Sequence, residues 1–144
     1  MTLPSGWQLE PYGASSAIAR YVEILNACYA DLWGHGIASP ELARLMLSTL
    51  DPQDVFFVTD AAGSDVGCAG IGRGISQSID APGIIKTHRS AKNYQSVLSS
   101  ALTKLESERD ISLSSWGDHE DTLLAYRQLG FTELERTPMA WRAV

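Results

Sequence analysis

Carboxylates at two places in the chain could act as a general base. Asp80 lies in an apolar stretch that ends at Ile85, and the cluster Asp118-His119-Glu120-Asp121 follows Trp116. A carboxylate or histidine within reach of an ammonium group can take its proton and leave a nucleophilic amine. The cluster also has a structural interpretation, because acids in a first helical turn complement the helix dipole and Asp118 would cap the helix.

One tyrosine could act as an acid. Tyr126 lies in the last turn of a helical segment that Gly130 ends, and Phe131 follows. A phenol with an ordinary pKa near 10 is protonated at neutral pH and can therefore donate its proton. The structural alternative is a core tyrosine whose ring packs while its hydroxyl finds a partner.

An anion site is predicted where an apolar strand runs directly into a helix. Residues 84–94 read Ile-Ile-Lys-Thr-His-Arg-Ser-Ala-Lys-Asn-Tyr, and the helical pattern begins at Ser90 or Ala91. The first N–H groups of a helix have no partner within it, so they can bind a phosphate group. The alternative is that this turn is only a helix cap.

Metal chemistry is not expected. The three histidines, His35, His88 and His119, lie on separate segments and form no i, i+4 pair. Cys28 falls in an amphipathic helix and Cys68 in an apolar strand, so both are expected to be small core residues.

Hydrophobic periodicity predicts the elements that must position these residues. In chain order they are a strand at 7–12, helices at 17–30 and 39–50, strands at 55–58, 66–72 and 79–85, a helix at 90–109, a strand at 111–116, a helix at 120–129, and strands at 131–136 and 139–142. The strand–long helix–strand unit implies a right-handed crossover and one parallel pair, which makes the fold α+β. Pro82-Gly83 predicts a bulge or an unpaired edge.

Two segments resemble the GNAT superfamily of acetyl-coenzyme A-dependent N-acyltransferases. The segment Thr122-Leu-Leu-Ala-Tyr-Arg-Gln-Leu-Gly-Phe131 is similar to the family's late helix, which ends in Tyr-x-x-x-Gly-Phe. Residues 84–94 resemble its pyrophosphate loop, an Arg or Gln followed by Gly-x-Gly-x-Gly/Ala at a helix N-terminus. The resemblance implies one GNAT-like domain over residues 1–144. It also implies a mixed, mostly antiparallel sheet with a central splayed parallel pair and helices on both faces.

The resemblance further implies acetyl transfer from acetyl-coenzyme A, by direct attack, to the primary amine of a small molecule or peptide. Tyr126 would be the acid and the Ile84 backbone a donor to the thioester carbonyl. Asp80 and the 118–121 cluster remain the candidate bases. Trp33 and Trp116 would bind the acceptor. The residues that would hold the pyrophosphate are Arg89, Ser90, Ala91, Lys92, Asn93 and Tyr94.

The loop departs from the family pattern. Arg89 matches, but Ser90, Lys92 and Tyr94 stand at the three small positions, and the ring of Tyr94 is the largest misfit. Glycines there let the backbone approach the pyrophosphate closely. A competing hypothesis is therefore a non-catalytic GNAT-like domain that binds a ligand or partner and has lost the coenzyme. A third is one half of a tandem acyltransferase.

Composition narrows the classes of partner. The chain has 144 residues, 11 Lys and Arg against 17 Asp and Glu, and a net charge of −6. A pI near 4.9 argues against a nucleic-acid binder, and there is no apolar run of about 20 residues for a membrane span. The N-terminal residues lack the features of a signal peptide. We expect a cytoplasmic protein, and a homodimer is compatible with these features.

Overall fold

The computed structural model describes residues 2–14, 17–31, 37–114 and 119–133. The strands in these ranges are β1 (Gln8–Pro11), β2 (Val55–Thr59), β3 (Asp65–Gly72), β4 (Gln77–Ile84) and β5 (Ile111–Ser114). The α-helices are α1 (Ile18–Tyr29), α2 (Pro40–Leu47), α3 (Ala91–Leu102) and α4 (Glu120–Gln128). Short 3-10 turns lie at Tyr12–Ala14, Pro52–Asp54 and Lys86–His88.

The described strands form one mixed sheet in the order β1-β2-β3-β4-β5. The first four strands pair antiparallel with their neighbours, whereas β5 runs parallel to β4. Parallel strands need a long connection, and α3 lies in the one between β4 and β5. The predicted α+β architecture, a mostly antiparallel sheet with a parallel pair, is confirmed.

Helices cover both faces of the sheet. On one face, α1 and α2 pack against a cluster that includes Phe57 and Cys68. On the other face, α3 and α4 pack against a cluster that includes Phe56, Ile79 and Ile84. Successive side chains of a strand point to opposite faces, so the continuous apolar run of β2 supplies both clusters.

A bulge interrupts β4 where Pro82 and Gly83 fall. Gly70 pairs with Asp80 and Cys68 pairs with Gly83, so β4 advances three residues while β3 advances two. Proline cannot donate to the ladder, and an extra residue removes that requirement locally. The predicted irregularity is confirmed, and it lies directly before Ile84.

α3 is shorter than its hydrophobic pattern predicts, because it ends at Leu102 and not at Arg109. The side-chain amide of Gln77, at the start of β4, holds the chain beyond the helix. Its Nε2 donates to the carbonyl oxygen of Glu106 at 2.8 Å, and the Glu106 N–H donates to its Oε1 at 2.8 Å. These contacts satisfy backbone groups that a longer helix would pair internally, and they direct the chain into β5.

The predicted ends of two other segments also changed. α2 ends at Leu47 and not at the predicted Leu50. At this end the hydroxyl of Ser48 donates to the Leu45 carbonyl at 2.6 Å. Residues 131–133 are irregular. The rest of the strands predicted at 131–136 and 139–142 lies outside the described residues.

The helices in the described ranges are short. α1 and α3 have 12 residues each. None of the helices described is long and apolar enough to cross a membrane.

Candidate functional site

The last residues of β4, Pro82–Ile84, form a backbone segment that we call the β4 edge. In the described residues, β5 pairs with β4 only from Gln77 to Asp80, which leaves this segment beyond the parallel pairing. The N–H of Ile85 donates to Val66 of β3 at 2.9 Å. Neighbouring residues of a strand present their backbone groups to opposite sides, so the N–H and C=O of Ile84 point away from β3.

Three side chains bind the backbone of the β4 edge. The hydroxyl of Tyr29 donates to the carbonyl of Pro82 at 2.8 Å. The N–H of Ile84 donates to the hydroxyl oxygen of Tyr94 at 3.2 Å, and Nε of Arg89 donates to the Ile84 carbonyl at 3.2 Å. Both polar backbone groups of Ile84 on this side therefore have partners within the protein.

Tyr94 reaches the β4 edge from the first turn of α3 and is only 2% exposed. Its ring belongs to the core between the sheet and the helices α3 and α4. Burial raises the pKa of Tyr94, while the hydroxyl of Thr122 and the Ile84 N–H oppose the rise. The phenol is neutral at physiological pH and serves as a buried hydrogen-bonding group.

Arg89 joins the β4 edge to the end of α1. Its side chain is 6% exposed, and its guanidinium donates to both carboxylate oxygens of Asp31, at 2.8 and 3.2 Å. Nη2 also donates to the carbonyl of Cys28 at 3.0 Å. With the bond to Ile84, every nitrogen of this guanidinium has an acceptor in the protein.

Asp31 extends this contact to the start of α4. Its carboxylate lies 3.2 Å from Nε2 of His119, the residue before α4. The hydrogen bond from Arg89, opposed by burial and reinforced by His119, holds the pKa of Asp31 well below its usual range. The carboxylate is therefore charged. It connects the end of α1 with the turn before α3 and with the start of α4.

The start of α3 agrees with its predicted position. Ser90 is the N-cap and its hydroxyl accepts from the Asn93 N–H at 3.1 Å. The side-chain amide of Asn93 donates to the His88 carbonyl at 2.7 Å. Ala91 is half-buried and Lys92 is exposed. Anion binding by this turn stays a prediction.

Tyr126, the predicted acid, lies in a helix stop. α4 ends in a Schellman motif: the Phe131 N–H bonds to the Tyr126 carbonyl and the Gly130 N–H to the Arg127 carbonyl, both at 3.0 Å. Gly130 takes a φ of +92°, which suits glycine. The rings of Tyr126 and Phe131 meet edge to face at 6.5 Å, and Tyr126 is 8% exposed. Helix capping explains Gly130 and the backbone contact of Tyr126, and the catalytic role of Tyr126 stays a prediction.

Asp80, the predicted base, lies in the paired part of β4. It accepts a hydrogen bond from the Ser78 hydroxyl at 3.1 Å. Ile79 packs in the cluster with α3 and α4, so Asp80 faces the helices α1 and α2. Tyr126 packs on the face opposite to Asp80. The structure therefore does not bring these two side chains together on one face, and their roles stay predictions.

The predicted acceptor-binding residues Trp33 and Trp116 lie outside the described residues, as does Asp118. Cys28 and Cys68 are buried thiols, as expected of core residues. No group of three potential metal ligands occurs within the described ranges.

Sequence reasoning missed three residues at the β4 edge: Tyr29, Asp31 and Thr122. Tyr29 was predicted only as part of an amphipathic helix face, and Asp31 follows that helix. Their partners are distant in the chain: Asp31 and Arg89 are 58 residues apart. No short-range signal in the sequence identifies contacts of this kind.

The residues at the β4 edge, as arranged, do not fit acetyl-coenzyme A. A thioester carbonyl would need the N–H of Ile84, which Tyr94 holds. The Arg89 nitrogens, which the resemblance assigns to the pyrophosphate, bind Asp31, Cys28 and Ile84. The ring of Tyr94 fills the space in front of this backbone.

Comparison with known proteins gives similarity in structure only. No protein-family model matches this sequence, and no curated protein sequence matches it. A GCN5-related N-acetyltransferase from Sphaerobacter thermophilus has a TM-score of 0.64 at 16% identity over 89% of this chain. The chain spans 42% of that protein's length.

Two further structures match over most of both chains. A chain of the NatC complex bound to Gag peptide and CoA has a TM-score of 0.66 at 18% identity, over 94% of this chain and 88% of that one. The aminoglycoside 6'-N-acetyltransferase AAC(6')-Ih from Acinetobacter baumannii has a TM-score of 0.58 at 12% identity, over 96% and 99%. This chain therefore has the fold of the GCN5-related N-acetyltransferases.

Proposed function

We propose that this chain is a GNAT-fold domain that binds a ligand or a protein partner without using acetyl-coenzyme A. One observation carries the proposal: the backbone of Ile84 has partners inside the protein. Tyr94 accepts from its N–H and Arg89 donates to its carbonyl. The donor that the family resemblance assigns to the thioester carbonyl is thus already used.

The energy needed to free this donor supports the proposal. Tyr94 would have to leave a site in which it is 2% exposed. Exposing a tyrosine of about 150–250 Å² costs about 4–6 kcal/mol at 25 cal/mol per Å². A cost of about 4 kcal/mol weakens a micromolar ligand to about millimolar affinity. Coenzyme binding at this site would therefore be very weak.

We expect calorimetric titration of the wild-type protein with acetyl-coenzyme A to give no saturable binding up to about 1 mM. The same additions should leave the melting temperature unchanged, because a ligand stabilises a protein only when it binds the folded state. Saturable binding at low micromolar concentration, with a rise in melting temperature, would contradict the proposal.

A second candidate function is acetyl transfer from acetyl-coenzyme A to the primary amine of a small molecule or peptide. Its support is the fold, together with the burial of the Tyr126 phenol in the same core as Ile84 and Tyr94. This function requires Tyr94 to leave the β4 edge. Tyr126 would then be the acid and Asp80 the base, in a cytoplasmic monomer or homodimer.

Replacing Tyr126 by phenylalanine separates the two candidates. Under our proposal the wild type acetylates no amine, and Tyr126→Phe changes the free energy of unfolding by about 1 kcal/mol or less, because the ring and the helix stop remain. Urea unfolding and an acetylation assay with amine and peptide acceptors measure both. Wild-type turnover that falls about 10- to 1000-fold in Tyr126→Phe would establish the second candidate instead.

A further inference from the structure

We propose that Tyr94 is an internal ligand whose phenol fills a preformed site at the β4 edge. Once the side chain is removed, this site binds a small apolar group that carries an oxygen able to accept a hydrogen bond from the Ile84 N–H. A phenol hydroxyl and a thioester carbonyl both provide such an oxygen. The inference rests on the proposed function, because it explains what occupies the Ile84 N–H. It goes beyond that function by stating which ligand chemistry fits the space that the Tyr94 side chain fills.

The first step of the argument is the contact itself. The Tyr94 hydroxyl accepts from the Ile84 N–H at 3.2 Å and lies beside the hydroxyl of Thr122, which is 3% exposed. The ring is enclosed by the core cluster of α3, α4 and the sheet. The surroundings therefore offer one backbone donor, one hydroxyl and apolar walls, which together suit a phenol.

The second step is that other residues hold the walls of this site. Arg89 binds the Ile84 carbonyl, Tyr29 binds the Pro82 carbonyl, and Ser90 caps α3. These three hydrogen bonds do not use the Tyr94 side chain, although Arg89 also interacts with the Tyr94 hydroxyl. A site whose walls are fixed independently keeps a cavity after truncation instead of collapsing, and enclosed apolar cavities of this kind bind small aromatic molecules.

The third step is the position of Tyr94 in the sequence. It stands where the resembling loop keeps Gly or Ala, and its side chain alone reaches from α3 to the Ile84 N–H. Substituting glycine removes the ring and hydroxyl without adding a competing group. The donor and the space in front of it then become available together.

The test uses Tyr94→Gly, with Glu23→Gly as the control at an exposed position inside the helix α1. Each variant places a glycine in a helix at a cost of about 1 kcal/mol, so the control isolates the loss of the buried side chain. We expect millimolar phenol to raise the melting temperature of Tyr94→Gly only. Toluene, which fills the cavity without an oxygen, should bind about tenfold more weakly than phenol.

Acetyl-coenzyme A provides the second arm. Tyr94→Gly should bind it measurably while wild type and Glu23→Gly do not, and phenol should compete for the site. Equal affinities for phenol and toluene, or a folded Tyr94→Gly that binds neither, would overturn the internal-ligand proposal and leave the proposed function standing. Acetyl-coenzyme A binding by the wild type would overturn the proposed function.

Tyr94→Phe keeps the test decisive if Tyr94→Gly does not fold. It retains the ring but removes the acceptor, so the Ile84 amide should exchange with deuterium at least about tenfold faster than in wild type. Unchanged exchange at Ile84, measured by nuclear magnetic resonance, would overturn the proposal.

Discussion

Replacing Arg89 by alanine is expected to lower the free energy of unfolding by about 2–4 kcal/mol. The guanidinium is 6% exposed and donates to the Asp31 carboxylate and to the carbonyls of Cys28 and Ile84. Truncation leaves these acceptors without their donor. Asp31 is 32% exposed, so water compensates part of the loss and the estimate stays below that for a fully buried pair.

Urea unfolding measures this effect, and Arg44→Ala is the matched control. Arg44 is an exposed arginine on α2, where substitutions away from special contacts change stability by about 0.5 kcal/mol or less. An Arg89→Ala variant as stable as Arg44→Ala would show that the contact between α1 and the β4 edge contributes little.

The loss of unfolding free energy in Arg89→Ala should also depend on pH. Arg89 holds the folded-state pKa of Asp31 below its unfolded value of about 3.9. A depressed carboxyl pKa gives stability that is present above the unfolded pKa and is lost as pH falls through the folded pKa. The difference in the free energy of unfolding between wild type and Arg89→Ala should therefore become smaller as the pH falls below about 4.

Substituting alanine for Gly67 is expected to cost about 3 kcal/mol. A Cβ at this position would lie 2.4 Å from the backbone carbonyl oxygen of Gly83, which is closer than a real Cβ approaches a neighbouring atom. The contact is with backbone and not with a flexible side chain, so the strands β3 and β4 must separate to relieve it. Gly67 pairs with Ile84, which means that the shift acts directly on the β4 edge.

Gly74→Ala is the control for this substitution. A Cβ at Gly74 meets no atom within 4 Å, so its stability should remain close to that of wild type. Thermal unfolding of both variants, with deuterium exchange at the Ile84 amide, measures the cost and its location. If Gly67→Ala had the same melting temperature as Gly74→Ala, the pairing of β3 with β4 would accommodate the methyl group.

Local signals in the sequence predicted most of the fold. The start of α3 at Ser90, the Gly130 stop and the Pro82-Gly83 irregularity each depend on backbone chemistry within a few residues. The boundary with the largest error, the end of α3, depends on the side chain of Gln77, which contacts Glu106 across 29 residues of chain. Short-range periodicity contains no information about such a contact.

The candidate site was harder to predict for the same reason. The sequence identified Tyr94 as a misfit in the loop, but the direction of its ring depends on how α3 packs against β4. Likewise Arg89 has the residue type of an anion ligand, and only the folded chain places Asp31 beside it. Residue types at a loop predict which chemistry is available, whereas the tertiary contacts decide which partner uses it.

The segment from Tyr126 to Phe131 ends a helix whether or not its tyrosine takes part in a reaction. In this chain Tyr126, Gly130 and Phe131 end α4 through two backbone hydrogen bonds and an edge-to-face ring contact. A glycine with φ of +92° that became alanine would cost on the order of 1 kcal/mol, whatever the protein does. The helix stop alone therefore gives Gly130 and Phe131 a structural reason to be present, whether or not Tyr126 takes part in a reaction. Positions 92 and 94, which the helix stop does not constrain, are therefore more informative about coenzyme binding in this chain than Tyr126 is.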